Sequence, residues 1–161
     1  MPLLHIEPRG EVFDLDGKPR ATSPSVALQW HGPKAQVALQ LSTAASQELA
    51  NRGEMLPTPI VGEALIDTGA TVSCKDIEAA DQLGLRPIDV TKMSSASHSD
   101  HEVSVYFASL EILGMGAHFE LRMMGGPLKA QGLIALIGRD ALAGSVLFYD
   151  GPTGQATLVL V

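Results

Sequence analysis

Apolar residues along this chain come in short runs broken by glycine and proline, and several runs alternate with polar residues at every second position. That is the period of a half-buried strand. Residues 34–42 are the clearest case: Val37, Leu39 and Leu41 fall on one face, Gln36, Ala38 and Gln40 on the other. Residues 103–113 and 118–124 alternate on either side of Gly114-Met115-Gly116, and residues 146–149 and 156–161 predict a last hairpin around Asp150-Gly151-Pro152-Thr153-Gly154. Residues 62–66 and 133–137 are near-continuous apolar runs, which predicts strands buried on both faces. Helical spacing is scarcer. Residues 76–85 put Ile77, Ala80 and Leu83 on one side and stop at Gly84 and Pro87, and residues 139–143 predict a short helix. Residues 44–59 read as an exposed insertion with a helical turn. Residues 1–25 read as a loose hairpin turned at Asp16-Gly17, with a linker over 19–24. The expected division is an extension over residues 1–33 and one domain over residues 34–161.

Composition narrows the partners. The 161 residues suit a single hydrophobic core, and with aromatics at 4% that core must be built from Leu, Val, Ile, Ala and Met. A net charge of −7 opposes a phosphate backbone, so nucleic acid is not an expected partner. Cys74 is the only cysteine, which excludes an intrachain disulfide and fits a reducing, cytoplasmic location. It reads as a small buried apolar residue. The first residues lack the basic start and apolar run of a secretory leader, and the apolar runs are too short to span a bilayer, so no membrane partner is expected.

The candidate chemistry lies where the two buried runs end. Ala64-Leu65-Ile66 leads into Asp67-Thr68-Gly69-Ala70-Thr71, and Leu133-Ile134-Ala135-Leu136-Ile137 leads into Gly138-Arg139-Asp140. An acid at the end of a buried strand is costly unless it is hydrogen-bonded, and the N–H groups of a tight Thr-Gly turn supply such bonds. His98, Asp100, His101 and Glu102 cluster, but their close spacing and lack of a cysteine do not make a metal site, so no metal or cofactor is expected. Ser73 and Cys74 have no histidine placed by motif to activate them as nucleophiles.

The blocks Leu65-Ile66-Asp67-Thr68-Gly69-Ala70 and Leu136-Ile137-Gly138-Arg139-Asp140, in this order and at this separation, resemble those of the retropepsin-like aspartic peptidases, the clan of the retroviral proteases and their bacterial relatives. The resemblance covers residues 34–161. It implies an all-β, acid-protease-type closed barrel with one short C-terminal helix, forming one subunit of a two-fold dimer. It also implies an endopeptidase in which the Asp67 carboxylates of two copies activate water. Thr68 would interlock with its mate, Gly69 would offer its backbone to a peptide, and Ala70 stands where pepsin-like enzymes have a hydroxyl. Gly138, Arg139 and Asp140 would form the second turn and a structural ion pair, although retroviral enzymes usually have Asp where this chain has Thr71, leaving Arg139 without that partner. Residues 94–102, with Ser95, Ala96 and Ser97 at the tip, fall at the family's flap. The terminal strand would help build the dimer sheet. The alternative reading is a dimeric peptide-binding or regulatory module that uses the same groove without cleavage.

Overall fold

The computed structural model describes residues 1–8, 10–93 and 101–161. Strand β1 (Leu3–Ile6) lies outside the hairpin read from residues 1–25, which is instead the short pair β2 (Val12–Phe13) and β3 (Pro19–Arg20). Asp14 Oδ1 holds that turn by accepting from the N–H groups of Asp16 and Lys18. The expected linker contains β3 and runs into helix α1 (Pro24–His31), which the hydrophobic pattern did not reveal. Its signals are local. Ser23 Oγ accepts from the N–H of Val26, Pro24 sits in the first turn where its missing donor costs nothing, and Gly32 ends the helix at φ 67°.

The barrel follows, in the order β4 (Lys34–Leu41), α2 (Thr43–Asn51), β5 (Ile60–Ile66), β6 (Cys74–Asp76), α3 (Ile77–Gln82), β7 (Asp89–Met93), β8 (His101–Ile112), β9 (Ala117–Gly126), β10 (Ala135–Ile137), α4 (Arg139–Leu142), β11 (Ser145–Asp150) and β12 (Gln155–Leu160). The sheet runs β4-β5-β10-β6-β9-β8-β7, and a β4–β8 pairing closes its first six strands into a barrel. Val37, Leu39, Leu110, Ile112, Met123 and Ile137 fill the interior without solvent exposure. Burying each such side chain is worth about 1.5–3 kcal/mol, so these contacts, more than any polar pair, hold the barrel shut. The expected all-β closed barrel and the short helix after Gly138 are therefore present.

Three local expectations change. The run over residues 62–66 is not buried on both faces: Ala64 and Ile66 are buried while Glu63 and Leu65 between them are partly exposed, because a single barrel layer leaves β5 an outer face. The insertion carries a full helix, α2, capped by Ser42 Oγ and burying none of its residues. In α3 the inward residues are Ala79, Ala80 and Leu83, while Ile77 is largely exposed in the turn beside the Asp76 cap.

A second sheet, ordered β1-β12-β11, packs beside the barrel. Its inner face contributes Ile6, Ala156 and Leu158 to the barrel's own core, as does Leu28 of α1. Ser25 Oγ donates to the carbonyl of Gly151, and Tyr149 Oη to that of Leu28. Residues 1–33 thus share a core with the rest of the chain. β12 lies between β1 and β11, so both of its edges are occupied and it is not free to pair with another subunit, contrary to the expectation for the terminal strand.

Lys75 in β6 is fully buried. Its Nζ lies 3.4 Å from the Tyr106 ring centroid and finds no hydrogen-bond partner among the described residues. Burial pushes its pKa down from 10.5 to about 8, against the pull of Asp81 and Asp76. A base with a depressed folded pKa binds fewer protons folded than unfolded. Its contribution to stability therefore rises with pH between about 8 and 10.5. Lys75→Met keeps the apolar stem and removes the buried charge. We expect it to melt no lower than the wild type at pH 7, and the gap to narrow as pH rises through that window. Thermal melts of both proteins from pH 7 to pH 10.5 check this; parallel curves would refute it.

Candidate functional site

The site is built where β5 and β10 run side by side. They pair in parallel, Leu65 beside Leu136 and Ile66 beside Ile137, so their two glycine turns leave the barrel together. The N–H of Asp67 donates to the carbonyl of Ile137, and the N–H of Arg139 donates back to the carbonyl of Ala70. Gly138 is required by this crossing: a Cβ there would come within 2.7–2.9 Å of the Val72 and Ser73 backbone.

Asp67 is half-buried at the strand end. Its Oδ1 accepts from the N–H groups of Gly69 (2.9 Å) and Ala70 (3.2 Å), the bonds anticipated from the Thr-Gly turn. No described group bonds Oδ2, so the carboxylate is oriented on one side and open on the other. Ala70 reaches the acid through its backbone N–H and has no side-chain hydroxyl to add.

Arg139 and Asp140 do not form the expected ion pair, and no described acid bridges Arg139. Its guanidinium instead donates to the carbonyls of Thr68 (2.8 Å) and Gly69 (3.1 Å) and to Thr71 Oγ1 (2.8 Å). Thr71, expected to leave Arg139 without a partner, instead supplies one through its neutral hydroxyl. Asp140 turns the other way. Its carboxylate accepts from the N–H of Ser73 (3.0 Å) and from Ser73 Oγ (2.7 Å), while Ser73 Oγ accepts from the N–H of Gly138 (3.0 Å). Ser73 is fully buried and joins the two turns as a strut. Neither sequence block pointed to it, because its partner lies 67 residues away.

Asp67 opens onto a cleft of about 560 Å³. One wall is the turn from Gly69 to Val72, another is Cys74 and Leu136, and the opposite side is Met93, Met124, Gly125, Gly126, Pro127 and Leu128. The lining is mainly apolar or backbone. Asp67 is the one acid and Lys92 the one base among the described lining residues. Sequence reading missed the Met124–Leu128 wall, which carries no distinctive residue type. Cys74 is half-buried in the cleft rather than inside the core, and burial, then Asp140 and Asp67, push its pKa up to about 11. That keeps it a protonated thiol, consistent with a non-nucleophilic role. Ser95, Ala96 and Ser97, expected at the flap tip, lie outside the described residues, as do His98 and Asp100. Thr68 is exposed, and with Arg139, Leu142, Ala143, Ser145 and Leu147 it lines a separate cavity of about 310 Å³.

No protein-family model matches the chain, and no curated protein matches it by sequence. Among solved structures it is similar to a retropepsin-like aspartic protease from Rickettsia conorii, at 15% identity and TM-score 0.47 over 97% of this chain and 89% of that one. It is also similar to the simian foamy virus protease, at 15% identity and TM-score 0.43 over 68% of this chain and 91% of that one. The retroviral protease-like domain of Ddi1 from Leishmania major is similar at 15% identity and TM-score 0.39, over 72% of this chain and 80% of that one.

The strut makes a stability prediction. Asp140→Ala leaves the buried N–H and hydroxyl of Ser73 without their acceptor, so it should cost about 1–3 kcal/mol, and Asp140→Asn less. Ser73→Ala should cost about as much. Because the two residues form one network, the double variant should lose less than the sum. Urea unfolding of the four proteins measures the cycle, and strict additivity would rule out the strut.

Proposed function

We propose that this chain is an aspartic endopeptidase of the retropepsin-like type, complete as a two-fold homodimer in which each copy supplies Asp67. The observation that carries this reading is the Asp67 carboxylate itself: it is fixed through Oδ1 by Gly69 and Ala70, is open at Oδ2, and faces an apolar cleft. General acid–base cleavage of an amide by carboxylates needs an acid and a base together. The cleft of one copy offers one acid among its described residues, and Asp140 is committed to Ser73. A second copy supplies the missing carboxylate by symmetry.

Two carboxylates in contact do not ionise together readily; they share one proton, the effect for which aspartic proteases are the standard illustration. The ionised Asp67 takes a proton from a water as its oxygen attacks the scissile carbonyl carbon. The protonated copy gives its proton to the carbonyl oxygen. The tetrahedral diol then collapses, the C–N bond breaks, and the amine leaves protonated. No covalent enzyme intermediate forms. Gly69 presents backbone to an extended peptide, and the Met93, Met124 and Leu136 surfaces receive apolar side chains.

Activity requires one proton on the pair. It falls at low pH when both acids are protonated and at high pH when both are ionised. Asp67→Asn should lower kcat/KM on an unfolded protein substrate by on the order of 10²–10⁴-fold or more while leaving the melting temperature nearly unchanged. A pH–rate profile and pepstatin sensitivity of the wild type complete the test. Peptide binding that survives Asp67→Asn, with no turnover from acid to neutral pH, would replace this reading with the non-cleaving binding module.

A further inference from the structure

The geometry points to the open edge of β11 as the surface on which a second copy of this chain docks, joining two three-stranded sheets into one of six strands ordered β1-β12-β11-β11-β12-β1. The inference rests on the dimeric reading above and names the surface that makes the dimer.

β11 pairs on one side, with β12. The N–H of Val161 donates to the carbonyl of Gly144, and the register continues as Ser145 opposite Leu160 and Val146 opposite Val159. Hydrogen-bonded pairs alternate along an antiparallel ladder. Val146 and Phe148 therefore spend their backbone groups on β12, and those of Ser145, Leu147 and Tyr149 point to the open edge. Soluble proteins blunt such edges with lysine, proline or a bulge. From Ser145 to Tyr149 this one has none and carries no charge. Its outward face is apolar as well, with Val146 55% and Phe148 65% exposed.

Two other half-paired strands, β7 and β1, are protected. β7 carries Asp89 and Lys92, and Arg122 bridges Asp89. β1 carries His5 and borders a cavity shared with the Lys34–Glu63 ion pair.

Position decides between a second copy and a different protein. Ser145 and Leu147 line the same cavity as Thr68, the residue next to Asp67, and Arg139 bonds the Thr68 carbonyl. Ser145 Oγ is buried there without a partner among the described residues. A two-fold axis beside this cavity brings the two β11 edges and the two Asp67 turns together in one operation. Pairing at the edge alone would leave the catalytic site incomplete, and pairing of the turns alone would leave the edge bare.

An antiparallel register centred on Val146, Leu147 or Phe148, the middle of the strand, sets Val146 or Phe148 of one copy opposite Val146 or Phe148 of the other. The variant Val146→Lys/Phe148→Lys then places like charges across the axis, on side chains already exposed in the single subunit. By sedimentation, the wild type is expected to dimerise and this variant to associate on the order of 100-fold more weakly, with its circular dichroism and melting temperature preserved. The control Val26→Lys/Trp30→Lys, on the exposed surface of α1, is expected to dimerise like the wild type. Val146→Cys and Phe148→Cys, each with Cys74→Ser and tested singly and mixed, should form an intersubunit disulfide under mild oxidation in one of the three combinations, whereas Leu15→Cys with Cys74→Ser should not. Wild-type association by the lysine variant, or a wild type that stays monomeric at all concentrations, overturns the inference. A dimer that the lysine variant disrupts but that cleaves no peptide upholds this surface while refuting the peptidase reading.

Discussion

Everything at the site depends on the parallel pairing of β5 with β10. Because Ile66 and Ile137 are buried side by side, the chain must leave the barrel twice at the same place. Each exit exposes backbone groups near a dry interior, where an unmade hydrogen bond is expensive. The observed solution is a mutual exchange: Asp67 N–H to the Ile137 carbonyl, Arg139 N–H to the Ala70 carbonyl, and Gly138 N–H to Ser73 Oγ. Gly138 has no side chain because two backbones pass there at contact distance. The orientation of Asp67 is thus a by-product of satisfying backbone polarity, which is why a short turn can hold a carboxylate with so little local sequence.

The same need explains how the second block works without an ion pair. A guanidinium suits carboxylates, yet its planar donors fit carbonyls equally well in geometry. Arg139 uses them to pin Thr68, Gly69 and Thr71, and Asp140 is released to cap the buried Ser73. Positive and negative charges from adjacent residues therefore brace opposite sides of the crossing. The loop from Asp67 to Ser73 is fixed at both ends, which is the preorganisation that positioned chemistry requires.

What could be read in the sequence follows from how local each signal is. The alternation in β4, β8, β9 and the β11–β12 hairpin is a one-strand property, and it gave the strands at nearly their observed bounds. The Asp67 turn was legible because its donors, Gly69 and Ala70, lie within three residues. Helix α1 was missed because its evidence is a cap, Ser23-Pro24, and not a periodic face: it buries Ala27 and Leu28 while leaving Trp30 exposed. The Ser73–Asp140 strut and the Thr71–Arg139 bond were invisible because each joins residues more than sixty positions apart through side chains common on any surface. For Lys75 the sequence signal misleads outright, since lysine is the residue least expected with no exposed surface.

The order of the second sheet carries the last step. A strand between two neighbours has no main-chain groups to offer, so β12 cannot serve assembly however apolar it is. Its pairing with β1 within one subunit moves the open edge to β11, and with it the place where another strand can add. β11 follows α4 after two residues, and α4 begins at the Gly138 turn. The edge is thus linked to the carboxylate through α4 and the two residues after it, and then through the Arg139 bond to the Thr68 carbonyl beside Asp67. Displacement at the edge can reach the Asp67 turn through that bond, through the Arg139 bonds to Gly69 and Thr71, and through the backbone exchange between the two turns. The β11 edge and the site geometry are therefore linked within one subunit, without any contact between β11 and Asp67 being required.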